Sequence, residues 1–136
     1  MKAYIDSSVV LRIVFAQPRQ LQRWHQITEP VSSELIRVEC LRAIDRARIQ
    51  AGLDDDAVAL RYAVALEHLT AIRKIPLEPG ILDRAAEAFP TALGSLDALH
   101  LASALAARRE IRELVFATHD RELATAARAV GFEVLT

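Results

Sequence analysis

Leu114-Val115-Phe116-Ala117, followed by Thr118-His119-Asp120 and then Arg121-Glu122-Leu123, is the stretch that decides the fold of this chain. Four consecutive apolar residues with β-branched and aromatic members describe a strand buried on both faces. An acid follows. After it a helical pattern runs to Val130 and stops at Gly131. The opening of the chain repeats the arrangement. Lys2-Ala3-Tyr4-Ile5 is a short buried strand, Asp6 ends it, and Ser7 or Ser8 can cap a helix from Val9 to about Phe15. Strand, acid and helix in succession, used twice, place two carboxylates beyond the carboxyl ends of strands, where open parallel sheets gather their functional groups.

Outward from these two segments the alternation continues. Pro18 is expected to restart helical structure, with Leu21, Trp24 and Ile27 as an apolar stripe. Pro30-Val31-Ser32 reads as a second strand. Ser33 caps a long helix from Glu34 to about Gln50, closed by Gly52. Asp54-Asp55-Asp56 opens the next helix, which runs to about Thr70, and acids suit that end because its free N–H groups carry partial positive charge. Ile72 to Leu77 is a strand candidate, Pro79-Gly80 leads into a short helix ending near Pro90, and Ser95 caps a helix from Leu96 to about Arg109. Phe132-Glu133-Val134-Leu135 is the last strand. The fold class is α/β: a mostly parallel central sheet with crossover helices on both faces. No repeat or linker divides residues 1–136, which read as a single domain.

The totals narrow the function. Hydrophobic residues are 52% of the 136, enough for a core without staples. The net charge of −1, from 17 basic and 18 acidic residues, excludes a general nucleic-acid coat protein, so any RNA contact must be local. Lys2 and Lys74 are the only lysines, and the remaining cations are arginines, which grip phosphate bidentately. Cys40 is alone, so neither an internal disulfide nor a CxxC metal site exists, and it reads as a small buried hydrophobe. No signal-peptide pattern opens the chain and its apolar runs are too short to span a membrane, so a cytoplasmic location is expected.

Four acids carry the chemistry. Asp6 and Asp120 follow strands, although each also suits a helix cap. Asp97 lies in the first turn of its helix, where the dipole alone could account for it. Glu39 is the most informative, because it sits mid-helix on a face shared with Leu35, Ile36 and Ala43. A carboxylate in an apolar stripe needs a partner, and Arg42 is one local choice. Glu34 is set aside because an exposed acid is ordinary at a helix start. Two carboxylates about 4 Å apart repel by ~4 kcal/mol at an effective dielectric near 20. Four converging acids therefore need compensating charge, and neither lysine is placed to give it. An all-oxygen set suits Mg²⁺ or Mn²⁺ rather than Zn²⁺. Such a site can lower the pKa of a bound water and stabilise a phosphodiester undergoing in-line displacement.

Taken in order, Tyr4-Ile5-Asp6-Ser7-Ser8, Glu34-Leu35-Ile36-Arg37-Val38-Glu39, Leu96-Asp97-Ala98-Leu99-His100-Leu101-Ala102-Ser103-Ala104 and Ala117-Thr118-His119-Asp120-Arg121-Glu122-Leu123 resemble PIN domains. More narrowly, they resemble the VapC-type toxins of type II toxin–antitoxin modules, over essentially the whole chain. The Leu-Asp-Ala-Leu-His-Leu-Ala run is the most specific piece. The resemblance implies a PIN-like three-layer α/β/α domain and a Mg²⁺- or Mn²⁺-dependent endoribonuclease acting on structured RNA such as tRNA or rRNA. It implies a cognate antitoxin and a homodimer as assembly partners.

By position, Asp6, Glu39, Asp97 and Asp120 are the implied catalytic and metal-binding acids, with Asp6 and Asp97 as the first choices for direct ligands. Ser7 and Thr118 are implied supporting hydroxyls. His100 reads as a packed helix histidine, with a functional role as a neighbour of Asp97 as the other reading, and His119 as an exposed loop residue, with a substrate contact as the other. Arg42 and Arg46, four residues apart, are candidate RNA contacts, although a solvated helix face explains them as well. Arg108, Arg109 and Arg112 read as surface charge. The apolar residues around Trp24 and from Val58 to Leu69 offer a groove for a partner's amphipathic segment.

Three other readings bear on the same acids. A haloacid-dehalogenase-type phosphatase wants a second Asp two residues after the first, where this chain has Ser8. A phospho-receiver wants its acceptor Asp after a central strand, whereas Asp54 to Asp56 follow a helix. A PIN-like module that only binds RNA or protein fits less well with all four acids present.

Overall fold

A computed structural model describes residues 1–136. The elements run β1 (Lys2–Ile5), α1 (Ser7–Val14), a 3₁₀ turn (Trp24–Gln26), β2 (Glu29–Ser33), α2 (Leu35–Gln50), α3 (Asp55–Ala71), β3 (Arg73–Ile75), α4 (Pro79–Ala86), α5 (Ser95–Glu110), β4 (Val115–Ala117), α6 (Arg121–Ala129) and β5 (Val134–Leu135). The five strands form one sheet in the order β3-β2-β1-β4-β5. Every pairing is parallel, with Tyr4 beside both Val31 and Phe116, and Ile5 beside Ala117.

The strand residues alternate between two cores, as a pleated sheet covered on both sides requires. Ala3, Ile5, Val115 and Ala117 face a core built from α1, α2 and α3, with Val10, Ile36, Cys40, Ile44 and Leu69 among its buried members. Tyr4, Val31 and Phe116 face the other, under α5 and α6, with Leu101, Ala104, Leu123 and Ala126. Tyr4 and Phe116 stack with ring centroids 5.2 Å apart. The result is the expected three-layer α/β/α arrangement.

The chain moves from β1 through β2 to β3 on one side of the sheet, then jumps back to β4 beside β1. The loops after β1 and β4 therefore leave a crevice between them at the carboxyl edge. The Asp6 N–H donates to the Ala117 carbonyl at 3.0 Å, which ties the two loop mouths together.

Two local expectations need correction. Residues 18 to 23 are not helical, and only the 3₁₀ turn forms after Pro18. Ala16 and Arg19 take positive φ values of 49° and 58°, so the backbone reverses repeatedly there. Leu21, Trp24 and Ile27 still point inward, but as anchors of a turn. The caps also differ: Asp6 rather than Ser7 or Ser8 caps α1, and Gly94, without a side-chain bond, precedes α5. Gly52 and Gly131 supply the left-handed residues, φ 63° and 89°, that end α2 and α6.

Candidate active site

Asp6 is fixed by being the α1 cap. Its Oδ2 accepts from the Ser8 N–H at 3.2 Å, from the Ser8 hydroxyl, and from the Thr118 hydroxyl at 2.9 Å. Asp120 caps α6 in the same way, with Oδ1 accepting from the Leu123 N–H at 2.8 Å. Thr118 joins the two, because its Oγ1 also accepts the Asp120 N–H at 3.0 Å. For both aspartates the cap is real, and it leaves the site reading open: each cap sits beside the crevice between the loops after β1 and β4.

Glu39 and Asp97 enter from the helices opposite. The carboxylate of Glu39 meets Nε2 of His100, a fully buried residue of α5. Nε2 also lies 3.9 Å from Oδ1 of Asp6. Asp97, one turn earlier on α5, accepts no hydrogen bond. Its carboxyl is pushed up to about 6 by burial first, then by the charges of Asp6 and Asp120, with Glu39 adding and His100 opposing. The four acids thus share one electrostatic environment. Burial disfavours charge on the His100 ring, yet the Glu39 hydrogen bond and the charges of Asp6, Glu39 and Asp97 outweigh it and raise its pKa.

No lysine or arginine forms an ion pair with any of the four; the arginine pairs join Arg23 to Glu133, Arg42 to Asp45 and Arg84 to Glu87. As the side chains lie, no three acids or histidines stand close enough to cage one ion. The donor chemistry is nevertheless that of a hard divalent cation: carboxylate oxygens in excess, with the His100 imidazole against Glu39 as local countercharge.

A sequence profile of the PIN domain matches residues 3–129. The chain belongs to the PIN-domain family. Over 136 aligned residues it is 32% identical to ribonuclease VapC47 of Mycobacterium tuberculosis, covering 95% of this chain and 92% of that protein. It is also 32% identical to ribonuclease VapC46 of the same organism, covering 97% and 95%. The fold is similar to a solved chain of the VapBC2 complex from Rickettsia felis bound to a promoter DNA fragment, with TM-score 0.67 and 10% identity over the full length of both chains.

Within this PIN domain, two residues play parts that local sequence reasoning misplaced. Ser8, not Ser7, supplies the hydroxyl of the Asp6 network, which also takes the His119 N–H at 2.9 Å. Ser7 makes no side-chain hydrogen bond, because successive residues at a helix start point to different faces. His100, not Arg42, partners Glu39; Arg42 instead pairs with Asp45 at 3.0 Å, largely in solvent. The spacing of Asp97 and His100, three apart on one helix, was the available signal for His100.

Other expectations fall as follows. Glu34 is structural, its Oε1 accepting the Leu77 N–H at 2.9 Å. His119 is half-buried rather than exposed, its Nε2 has no partner, and burial followed by the charge of Arg12 lowers its pKa. Arg108 and Arg109 line a cleft of about 820 Å³ with Arg73, Lys74 and Arg84, at the opposite end of α5 from Asp97. Trp24, Val58 and Leu69 pack into the core, which leaves Leu60 and Leu66 as the exposed apolar residues of that region.

Proposed function

We propose that this PIN domain, acting as one unit over residues 1–136, is a metal-dependent endoribonuclease and the toxin half of a type II toxin–antitoxin pair. The observation that carries the nuclease reading is the crevice itself: burial first, and then the charges of Asp6, Asp120 and Glu39, push the Asp97 carboxyl up to about 6, and none of the four acids forms an ion pair with a lysine or arginine. Asp6, Glu39, Asp97 and Asp120 would hold Mg²⁺ or Mn²⁺. When bound, such an ion supplies an activated water and stabilises charge on the phosphodiester in the transition state. The chain's own parts are positional. Ser8 and Thr118 hold Asp6 in one rotamer, Thr118 sets the backbone that carries Asp120, and Asp97, free of internal bonds, is available to whatever enters.

The substrate class is structured RNA, tRNA or rRNA, with Arg42 and Arg46 on the outer face of α2 as contacts to phosphate. The similarity to two ribonucleases named VapC supports the nuclease and toxin roles, and the likeness to a chain from a VapBC complex supports a cognate antitoxin. Homodimer formation and a cytoplasmic site of action complete the proposal. No helix is long and apolar enough to cross a membrane.

The test is cleavage of total tRNA and rRNA by metal-stripped wild type and Asp6→Asn, with Mg²⁺, Mn²⁺ or EDTA. Discrete products lost with EDTA and with the variant are expected. Equal cutting by both folded proteins would remove the site from consideration, and binding of RNA without any cleavage would leave a binding module.

A further inference from the structure

A buried polar chain runs behind the acids and ends on one of them, Glu39. The Ser33 N–H, at the carboxyl end of β2, donates to the Tyr4 hydroxyl at 3.0 Å. The Tyr4 Oη lies 2.9 Å from Nδ1 of His100, and Nε2 of the same ring meets Glu39. Tyr4 and His100 are both fully buried, with the rings edge to face at 5.9 Å. Burying a phenol and an imidazole side by side between a sheet and a helix costs free energy unless each polar atom is used, and here every one of them is.

The order of the chain fixes the direction of its protons. The Glu39 carboxylate can only accept, so the hydrogen of a neutral ring sits on Nε2, and Nδ1 is left to accept from the Tyr4 hydroxyl, whose oxygen in turn accepts from Ser33. When the ring is charged both nitrogens carry hydrogen. In either state Nε2–H points at the Glu39 carboxylate. A mid-helix glutamate has three rotatable bonds; this contact holds one of its oxygens and leaves the other to the crevice.

We propose that Tyr4 and His100 are positioning residues that fix Glu39 at the crevice and thereby set how tightly the site holds a divalent cation. The proposal rests on the nuclease reading above, because it takes Glu39 as part of the cation site. A purely structural histidine needs only to fill its space. A positioning histidine must present a donor at the Nε2 position, and that difference is measurable.

The experiment is calorimetric titration of the full-length, metal-stripped chain with MnCl₂, alongside the thermal midpoint of each protein in EDTA. The variants are Tyr4→Phe, His100→Gln, His100→Asn and His100→Leu. Gln ends its amide the same number of bonds from the backbone as Nε2, whereas Asn stops at the position of Nδ1. His100→Leu is expected to weaken Mn²⁺ binding about 10–100-fold, the range for loss of a partner behind a metal ligand. His100→Gln should recover much of that affinity and His100→Asn little, although both keep a polar side chain in the same space.

Tyr4→Phe keeps the stack on Phe116 and should give an intermediate loss, because the neutral ring is then free to place its hydrogen on Nδ1. Affinity that follows the thermal midpoint instead of the donor position would overturn the proposal. So would Mn²⁺ binding in His100→Leu equal to or tighter than wild type, the tighter case meaning that His100 competes with the cation for Glu39. If wild type itself binds no Mn²⁺, the metal-nuclease reading falls and this inference with it. If wild type binds and the variants bind equally, only the inference falls.

Discussion

The two walls of the acidic crevice are built on opposite plans. On the sheet side, Asp6 and Asp120 are wired: between them they accept from two backbone N–H groups and two hydroxyls, and Thr118 touches both residues. On the helix side, Glu39 has one partner, a buried histidine, and Asp97 has none. The wired wall stabilises helix starts, so it persists whether or not a cation is present. The bare wall raises the energy of the fold by repulsion, which a cation bound as proposed would relieve. On that proposal one wall contributes stability and geometry, the other affinity.

The sharpest way to break this contrast is to remove the bare acid. Asp97→Asn should lower RNA cleavage by more than the 10–100-fold typical of losing a supporting partner. Its thermal midpoint in EDTA at pH 7 should be equal to or above wild type. A midpoint several degrees lower would mean that Asp97 is held by bonds, contrary to the contrast. Next in size is the effect of the cation itself. At about 100 times its dissociation constant, Mn²⁺ should add about 2.7 kcal/mol of stability to wild type. Asp97→Asn should show only a fraction of that rise, and EDTA should reverse it. No rise in wild type under saturating Mn²⁺ would contradict the role given to the bare wall.

Thr118→Val tests the other wall. Valine keeps the shape, removes one donor from Asp6 and leaves the half-buried Asp120 N–H without its acceptor. The expected loss is about 1–3 kcal/mol in urea or thermal unfolding, whether or not metal is present. A variant as stable as wild type would show that the wiring is incidental.

The pH response follows from Asp97. Its carboxyl is raised from 3.8 to about 6 in the fold, so the metal-free folded state binds that proton more tightly than the unfolded chain does. The contribution of this group is therefore fully present below about 3.8 and is lost as pH rises through about 6. In EDTA, the stability difference between Asp97→Asn and wild type should grow in favour of the variant from pH 4.5 to pH 7. A difference flat across that window would remove Asp97 from the shared electrostatic environment.

Much of this was open to reading in the sequence because the wired wall is local chemistry. A carboxylate between a buried strand and a helix is a cap by short-range rules, and two such caps in one parallel sheet share an edge. The helix side resisted the same treatment. Glu39 is a charge on an apolar face, and Arg42 is the one cation within local reach, whereas its partner is His100, 61 residues away. No spacing rule reaches across that separation; the sheet order does, by setting α5 against β2 and Tyr4 between them. The error after Pro18 has the opposite cause. Leu21, Trp24 and Ile27 have helical spacing, yet the connection between Phe15 and Ile27 must turn back over the core, and residues 16 and 19 reverse the backbone before a helix can start.

Arg42 brings the smallest effect and separates recognition from both walls. Its side chain is 71% exposed and paired with Asp45, so the ion pair is worth about 0.2–1 kcal/mol and the fold does not depend on it. If Arg42 and Arg46 meet only flanking phosphates, they do so equally in the ground and transition states. The double variant Arg42→Ala with Arg46→Ala should then raise KM for RNA a few-fold and leave kcat unchanged, the signature of uniform binding. The rise should shrink as salt is increased, because the contact is an exposed charge pair. A fall in kcat with KM constant would instead place these arginines in the chemistry of the crevice. Unchanged kinetics at low salt would make them the solvated helix face that their exposure also allows.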